Sequence, residues 1–306
     1  MGSPVSLLKV NDAVNLETQI SKSLELIDFR FSSQVRNVVI KPNLCYYWNS
    51  STGNTTDPLV VGAIIEIIRR QYGENVNIKI AEADASAMRT KYAFPVLGYS
   101  KLAEEKKVGL LNLSEDEFKE VSISINNQEM EFNIPQSLLD ADLFINVPKL
   151  KVMHATKISC AMKNIYGANA IQRKAKYHRY LDEAIVGINK FLNPSLIIVD
   201  GVTALGSRPI KLNLLMASTD TFSIDWVASE IMGFSPSKVP FLRLALHENL
   251  GSPKGISIRG ESISEFSKIF PKTNNLFENH KWGFFSFILK AYTRLSGDII
   301  PPSLDE

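Results

Sequence analysis

Short apolar runs alternate along the chain with longer stretches in which apolar residues return every three or four positions. Val35–Ile40, Val76–Ile80, Leu143–Val147 and Leu196–Val199 are compact apolar runs that predict strands buried on both faces. Between the first two lies Asp57–Tyr72, whose Val60, Val61, Ile64, Ile65, Ile67 and Ile68 make a broad apolar helical face. Thr56-Asp57-Pro58 opens it with a capping residue and a proline in the first turn. Strand, helix and strand in this order predict a right-handed crossover and parallel strands. Phe94–Lys107, Ile158–Tyr166, His178–Phe191 and Thr219–Met232, the last capped by Thr219, predict further helices, and Leu212–Ala217 one more strand. Glu120–Phe132 alternates apolar and polar residues around Asn126-Asn127, which predicts a β-hairpin standing off the main sheet.

The predicted fold is therefore α/β: a mostly parallel, Rossmann-like sheet flanked by helices, with an inserted β-hairpin and a C-terminal aromatic helix. No internal repeat or low-complexity linker interrupts the chain, so residues 1–270 are expected to form a single body. Two intimate lobes dividing near 115–140 are the alternative. Residues 271–306 are expected to form an amphipathic helix and tail, in which Phe277, Trp282, Phe284, Phe285, Phe287, Ile288, Tyr292 and Leu295 crowd Asn274–Leu295. That helix is expected to dock on the body, on a second copy in a homo-oligomer, or on a membrane surface.

Composition narrows the partners. In 306 residues, 34 basic and 32 acidic side chains leave a net charge of +2, so a nucleic-acid role would need a local patch. Cys45 and Cys160 are too few for a disulfide framework or a cysteine-ligated iron–sulfur cluster, and predict reduced thiols in a cytoplasmic protein. Met1–Val10 has no basic flank followed by a long apolar core, and no run reaches the ~20 apolar residues of a spanning helix.

In open parallel sheets, ligands bind beyond the carboxyl ends of the strands. The predicted strands run into Lys41-Pro42-Asn43, Glu82-Ala83-Asp84, Pro148-Lys149-Leu150-Lys151 and Asp200-Gly201. Four charged endings on one edge predict a functional rim. Lys149–Tyr180 adds cations and His154, with no acid before Asp182. Lys41, Asn43, Lys149, Lys151, Asn164 and Arg208 are the candidate ligands of a small anion bearing phosphate or carboxylate. Two cations about 4 Å from such a group each contribute roughly 4 kcal/mol at an effective dielectric of ~20, before desolvation. His154 or Lys163 is the candidate for proton transfer, and Asp84 and Asp200 orient a base or hold a divalent metal.

These residues resemble the family known as domain of unknown function three hundred and sixty-two. The landmarks are Lys41-Pro42-Asn43-Leu44, Thr56-Asp57-Pro58, Asp142 through Val147-Pro148-Lys149-Leu150-Lys151 with His154, and Ala161-Met162-Lys163-Asn164-Ile165-Tyr166-Gly167. His178, Asp200-Gly201-Val202, Thr219-Asp220 and Asp225 continue the set. Where the family pattern places glycine before a proline, Gly206-Ser207-Arg208-Pro209 has arginine, which adds a cation to the rim. Some members carry a ferredoxin-like cluster module, for which this chain lacks the cysteines. The order His154, Lys163, His178 is also similar to the nickel-dependent lactate racemase family. That resemblance implies a racemase- or epimerase-like enzyme with His154 as acid–base, Lys163 as tether of a nickel pincer nucleotide and His178 as nickel ligand. Ser159-Cys160-Ala161-Met162 stands where that family has a glycine-rich run.

Two classes of function follow. One is a cytoplasmic enzyme acting on a small anionic metabolite by acid–base or metal-assisted chemistry. The alternative is a non-catalytic module binding a nucleotide or RNA along Arg173-Lys174-Ala175-Lys176-Tyr177-His178-Arg179-Tyr180, with the tyrosines stacking on bases. The sequence has neither a phosphate loop of the glycine-lysine-threonine kind nor a dinucleotide glycine triplet.

Overall fold

Apolar residues dominate the four runs, so they join one sheet covered on both sides, with Asn77 exposed and Lys79 half-buried in the Val76–Ile80 run. The computed structural model describes residues 3–10, 15–86, 88–171 and 174–271. Its strands are β1 (Pro4–Lys9), β2 (Asn37–Pro42), β3 (Asn77–Glu82), β4 (Gly109–Asn112), β5 (Phe118–Ile125), β6 (Gln128–Pro135), β7 (Leu143–Val147), β8 (Lys149–Met153), β9 (Lys157–Ser159), β10 (Leu196–Leu205), β11 (Pro209–Ser218) and β12 (Ser257–Gly260). The helices are α1 (Leu16–Leu26), α2 (Pro58–Tyr72), α3 (Thr90–Val96), α4 (Tyr99–Lys106), α5 (Gln136–Leu139), α6 (Ala161–Gly167), α7 (Leu181–Asn189), α8 (Thr221–Ile231), α9 (Pro240–His247) and α10 (Ile263–Ser267).

The main sheet runs β12-β1-β11-β10-β7-β2-β3-β4, with β8 and β9 attached beside β10. From β4 through β3, β2 and β7 to β10 all neighbours are parallel; β11 is antiparallel to both β10 and β1. Val38, Ile40, Ile78 and Ile80 share one buried cluster with the apolar faces of α1 and α2. Val39, Ala81 and Phe144 share the other with α6, α7, α8 and the hairpin. The hairpin β5–β6 turns at Asn126 (φ 49°) and Asn127 (φ 60°), the paired left-handed residues that match strand twist in a two-residue turn. Its Phe132 is fully buried in the same cluster as α7.

Several elements differ from the sequence expectation. Phe94–Lys107 is two helices, because Pro95 supplies no amide and Gly98 turns the chain at φ 83°. The helix expected over Ile158–Tyr166 begins only at Ala161: the turn at 154–156 folds β9 back antiparallel on β8, with Thr156 Oγ1 donating to Ile158 O at 2.8 Å. The helix expected over His178–Phe191 splits at Tyr180, whose non-helical backbone separates a 3-10 turn (Lys174–Tyr180) from α7. Asp220 rather than Thr219 caps α8, accepting from Ser223 N at 2.9 Å. The aromatic segment Asn274–Leu295 lies outside the described residues.

Candidate functional site

Lys41 and Asn146 are register neighbours on β2 and β7, at the carboxyl end of the sheet's centre. With no solvent to receive it, the Lys41 ammonium finds its charge partner inside: Nζ lies 2.8 Å from Glu82 Oε1 and donates to Asn164 Oδ1 and Pro42 O, each at 3.1 Å. Burial lowers the Lys41 pKa and the Glu82 carboxylate opposes that shift. Asn164 Nδ2 donates to Asn146 Oδ1 at 2.7 Å, and Asn146 Nδ2 donates to Ala161 O at 3.1 Å. Glu82 Oε2 accepts from Leu44 N at 3.0 Å, tying the loop after β2 into the same network. A Cβ on Gly167 would stand 3.3 Å from Lys41 Nζ, so the end of α6 packs directly on this amine.

A second buried pair lies beside it. Pro148 interrupts the line from β7 to β8, and β10 runs alongside both strands, placing Asp200 opposite Lys149. Lys149 Nζ donates to Asp200 Oδ2 at 2.7 Å; that oxygen also accepts from Asp57 N at 2.8 Å, and Oδ1 accepts from Val202 N at 3.1 Å. Lys151, also buried, donates to the carbonyl of Asn54, at 2.8 Å.

Helix α6 carries Lys163 and Asn164, and its start is fixed from below. Asp225 on α8 accepts from Ala161 N at 2.6 Å and Met162 N at 3.0 Å, and from the Cys160 thiol. Burial pushes the Asp225 carboxyl up to about 7 despite these donors. Lys163 is partly buried, with no hydrogen-bond or ion-pair partner for its amine among the described residues. Burial first, then repulsion from Lys151, pushes its pKa down to about 8, and Cys45 also lies within its electrostatic reach. Lys174 donates to Gly167 O at 2.6 Å, and burial pushes it down to about 7 against the attraction of Glu82.

The structure thus brings Lys41, Lys151, Lys163 and Asn164 together, with the Lys149–Asp200 pair beside them and Asn43 in the adjoining loop. Lys149 and Lys151 lie on a strand rather than in a loop, and Asp200 lies within β10 rather than past its end. Arg208 and His154 sit elsewhere on the rim, exposed in the β10–β11 and β8–β9 turns. For His178 the described structure gives only its place in the 3-10 turn. A metal at Asp84 and Asp200 does not fit. Thr90 N and Oγ1 donate to Asp84 at 2.9 and 2.6 Å with Arg89 beside them, and Asp200 is occupied as above. Among the described residues no group of three His, Cys, Asp or Glu could hold an ion. The base-stacking role of Tyr177 is also corrected: its ring is buried against Phe132 and its hydroxyl donates to Glu131 O. Glu82 and Lys174 join the candidate site although sequence reasoning assigns neither a role in holding the anion; Lys174 figures there only within the RNA-binding stretch. Glu82 was visible as a strand ending, but nothing in its spacing singled it out over Asp84.

No helix among the described residues is long and apolar enough to cross a membrane. A family model described as "Domain of unknown function (DUF362)" matches residues 38–230. The thylakoid-associated protein sll1697 of Synechocystis sp. is 26% identical over 228 residues, covering 70% of this chain and 68% of that protein. The structure of the lactate racemase apoprotein from Thermoanaerobacterium thermosaccharolyticum aligns with a TM-score of 0.45 at 12% identity. That alignment covers 76% of this chain, which spans 57% of that one.

Proposed function

The chain belongs to the DUF362 family, and from that premise we propose that it is an enzyme acting on a small phosphate- or carboxylate-bearing metabolite at this rim. One observation carries the reading: Lys151, Lys163 and Lys174 crowd together with no carboxylate in ion-pair distance of any of them among the described residues. Elsewhere at the rim the chain neutralises its buried lysines, Lys41 with Glu82 and Lys149 with Asp200. Leaving cations partly desolvated and unpaired is costly, so an anion from outside supplies the missing charge. Lys163 and Lys174, lowered to about 8 and about 7, can each hold or release a proton near neutrality, which suits acid–base chemistry on that ligand. The two free cysteines support a cytoplasmic setting.

Calorimetric titration of the full chain with inorganic phosphate and with acetate tests the reading. Binding of at least one anion is expected, weakened by about tenfold or more in Lys163→Met, as for a lost charge-assisted hydrogen bond. Absence of binding, or equal binding by the variant, would overturn it.

A further inference from the structure

The segment between β2 and α2 crosses the rim as a loop closed on itself. Asn43 N donates to Thr56 Oγ1 and Thr56 N to Asn43 O, both at 2.9 Å, and Thr56 Oγ1 donates to Val147 O at 2.8 Å. The loop's ends are therefore pinned to the carboxyl end of β7. Within it, Trp48 N reaches back to Cys45 O at 3.4 Å, and Tyr46 takes φ 52°, a backbone that bulky residues avoid. This tight turn sets the Tyr46 and Trp48 rings 5.0 Å apart and tilted by 52°, with Trp48 41% exposed. Tyr47 behaves differently, its hydroxyl turned to the body to accept from Arg89 N at 3.1 Å.

The aromatic pair adjoins the unneutralised cations. Cys45, one residue before Tyr46, interacts electrostatically with Lys163, and Asn54 of the same loop receives the Lys151 amine. Among the described residues Thr55, 1% exposed, has no partner for its Oγ1, and the buried Asn43 Oδ1 has none either. A small hydrophilic anion would use the lysines and leave the Tyr46–Trp48 surface facing water. Resting on the anionic-ligand reading above, we infer that the ligand joins a planar ring to its anionic group and that Trp48, backed by Tyr46, stacks on that ring. The ligand class is an aromatic or heteroaromatic phosphate or carboxylate. The lysines supply charge complementarity, and the rings supply affinity that is indifferent to hydrogen-bond pattern.

The test compares four probes on the full chain by calorimetry: inorganic phosphate, ribose phosphate, adenosine monophosphate and phenyl phosphate. At least one of the two ring-bearing probes is expected to bind about tenfold or more tightly than ribose phosphate, the size of one stacking contact. Preference for adenosine monophosphate identifies a nucleotide ligand, and preference for phenyl phosphate alone a simple aromatic acid. Trp48→Ala is expected to erase the ring preference and leave inorganic phosphate within about twofold, while Trp48→Phe retains most of it. Because Trp48 is exposed, the variants should melt with the parent protein. Anion binding with no ring preference, or a preference that survives Trp48→Ala, overturns the inference and leaves the anion reading standing. Failure of every probe, and of acetate and benzoate, to bind overturns both.

Discussion

Lys163 offers a perturbation in which stability and binding should move in opposite directions. Its pKa falls from 10.5 to about 8 in the folded chain, chiefly through burial. At 1.36 kcal/mol per pH unit this is roughly 3 kcal/mol, and discounting for the partial exposure of the side chain leaves about 1–2 kcal/mol. A lysine whose folded pKa is depressed penalises the native state wherever it is charged in both states. The penalty is therefore complete below pH 8 and disappears as pH rises from about 8 to 10.5, where the native state releases its proton first. Lys163→Met should be more stable than the parent at pH 7 by about 1–2 kcal/mol, a few degrees in melting temperature. Urea titrations at pH 7 and pH 10 should show that difference shrinking at the higher pH. Inorganic phosphate should stabilise the parent by about 2.7 kcal/mol at a hundred times its dissociation constant, and the variant far less. A variant that is less stable at pH 7, or whose advantage persists unchanged at pH 10, would refute the assignment of Lys163 as an unpaired, desolvated cation.

Two further perturbations test the scaffold. Asp200→Ala leaves Lys149 buried without its 2.7 Å partner and should cost about 3–5 kcal/mol in urea unfolding, whereas the double variant Lys149→Met/Asp200→Leu should recover most of that loss. A double variant no more stable than Asp200→Ala would show that the pair contributes more than mutual neutralisation. Asp225, raised from 3.8 to about 7, retains its proton longer in the native state, so its contribution makes stability fall as pH rises from about 4 to 7. Asp225→Asn should remove that downward slope in thermal denaturation measured across the window, and an identical slope in both proteins would rule out the raised carboxyl.

Much of the architecture was legible in the residues themselves. Leu143–Val147 is apolar but for Asn146, the pattern of a short strand covered on both sides, and it is β7 residue for residue. Asp57-Pro58 marked the start of α2 through local capping chemistry, and Asn126-Asn127 marked a turn whose left-handed backbone those side chains tolerate. These signals act within a few residues, which is why they survive without knowledge of the fold. At the rim, the charged residues near the end of each run could be nominated for the same reason, since a charge closing a buried run is visible locally.

Which charges meet is decided over far longer distances. Lys41 finds Asn164 across 123 positions and Lys149 finds Asp200 across 51, and neither separation leaves a periodic trace in the chain. Lys149 and Lys151 belong to a strand because β10 and β9 pass alongside to pair with it. Lys163 lies in the first turn of a helix because Asp225, 64 positions from Ala161, receives the first free amides of α6. The sequence alone determined where some elements begin, β7 and α2 among them, and which faces are apolar, because hydrophobicity and capping are local properties. Tertiary packing decided which lysines acquire a counter-charge and which do not, because desolvation and Coulomb energy depend on neighbours that only the folded chain supplies.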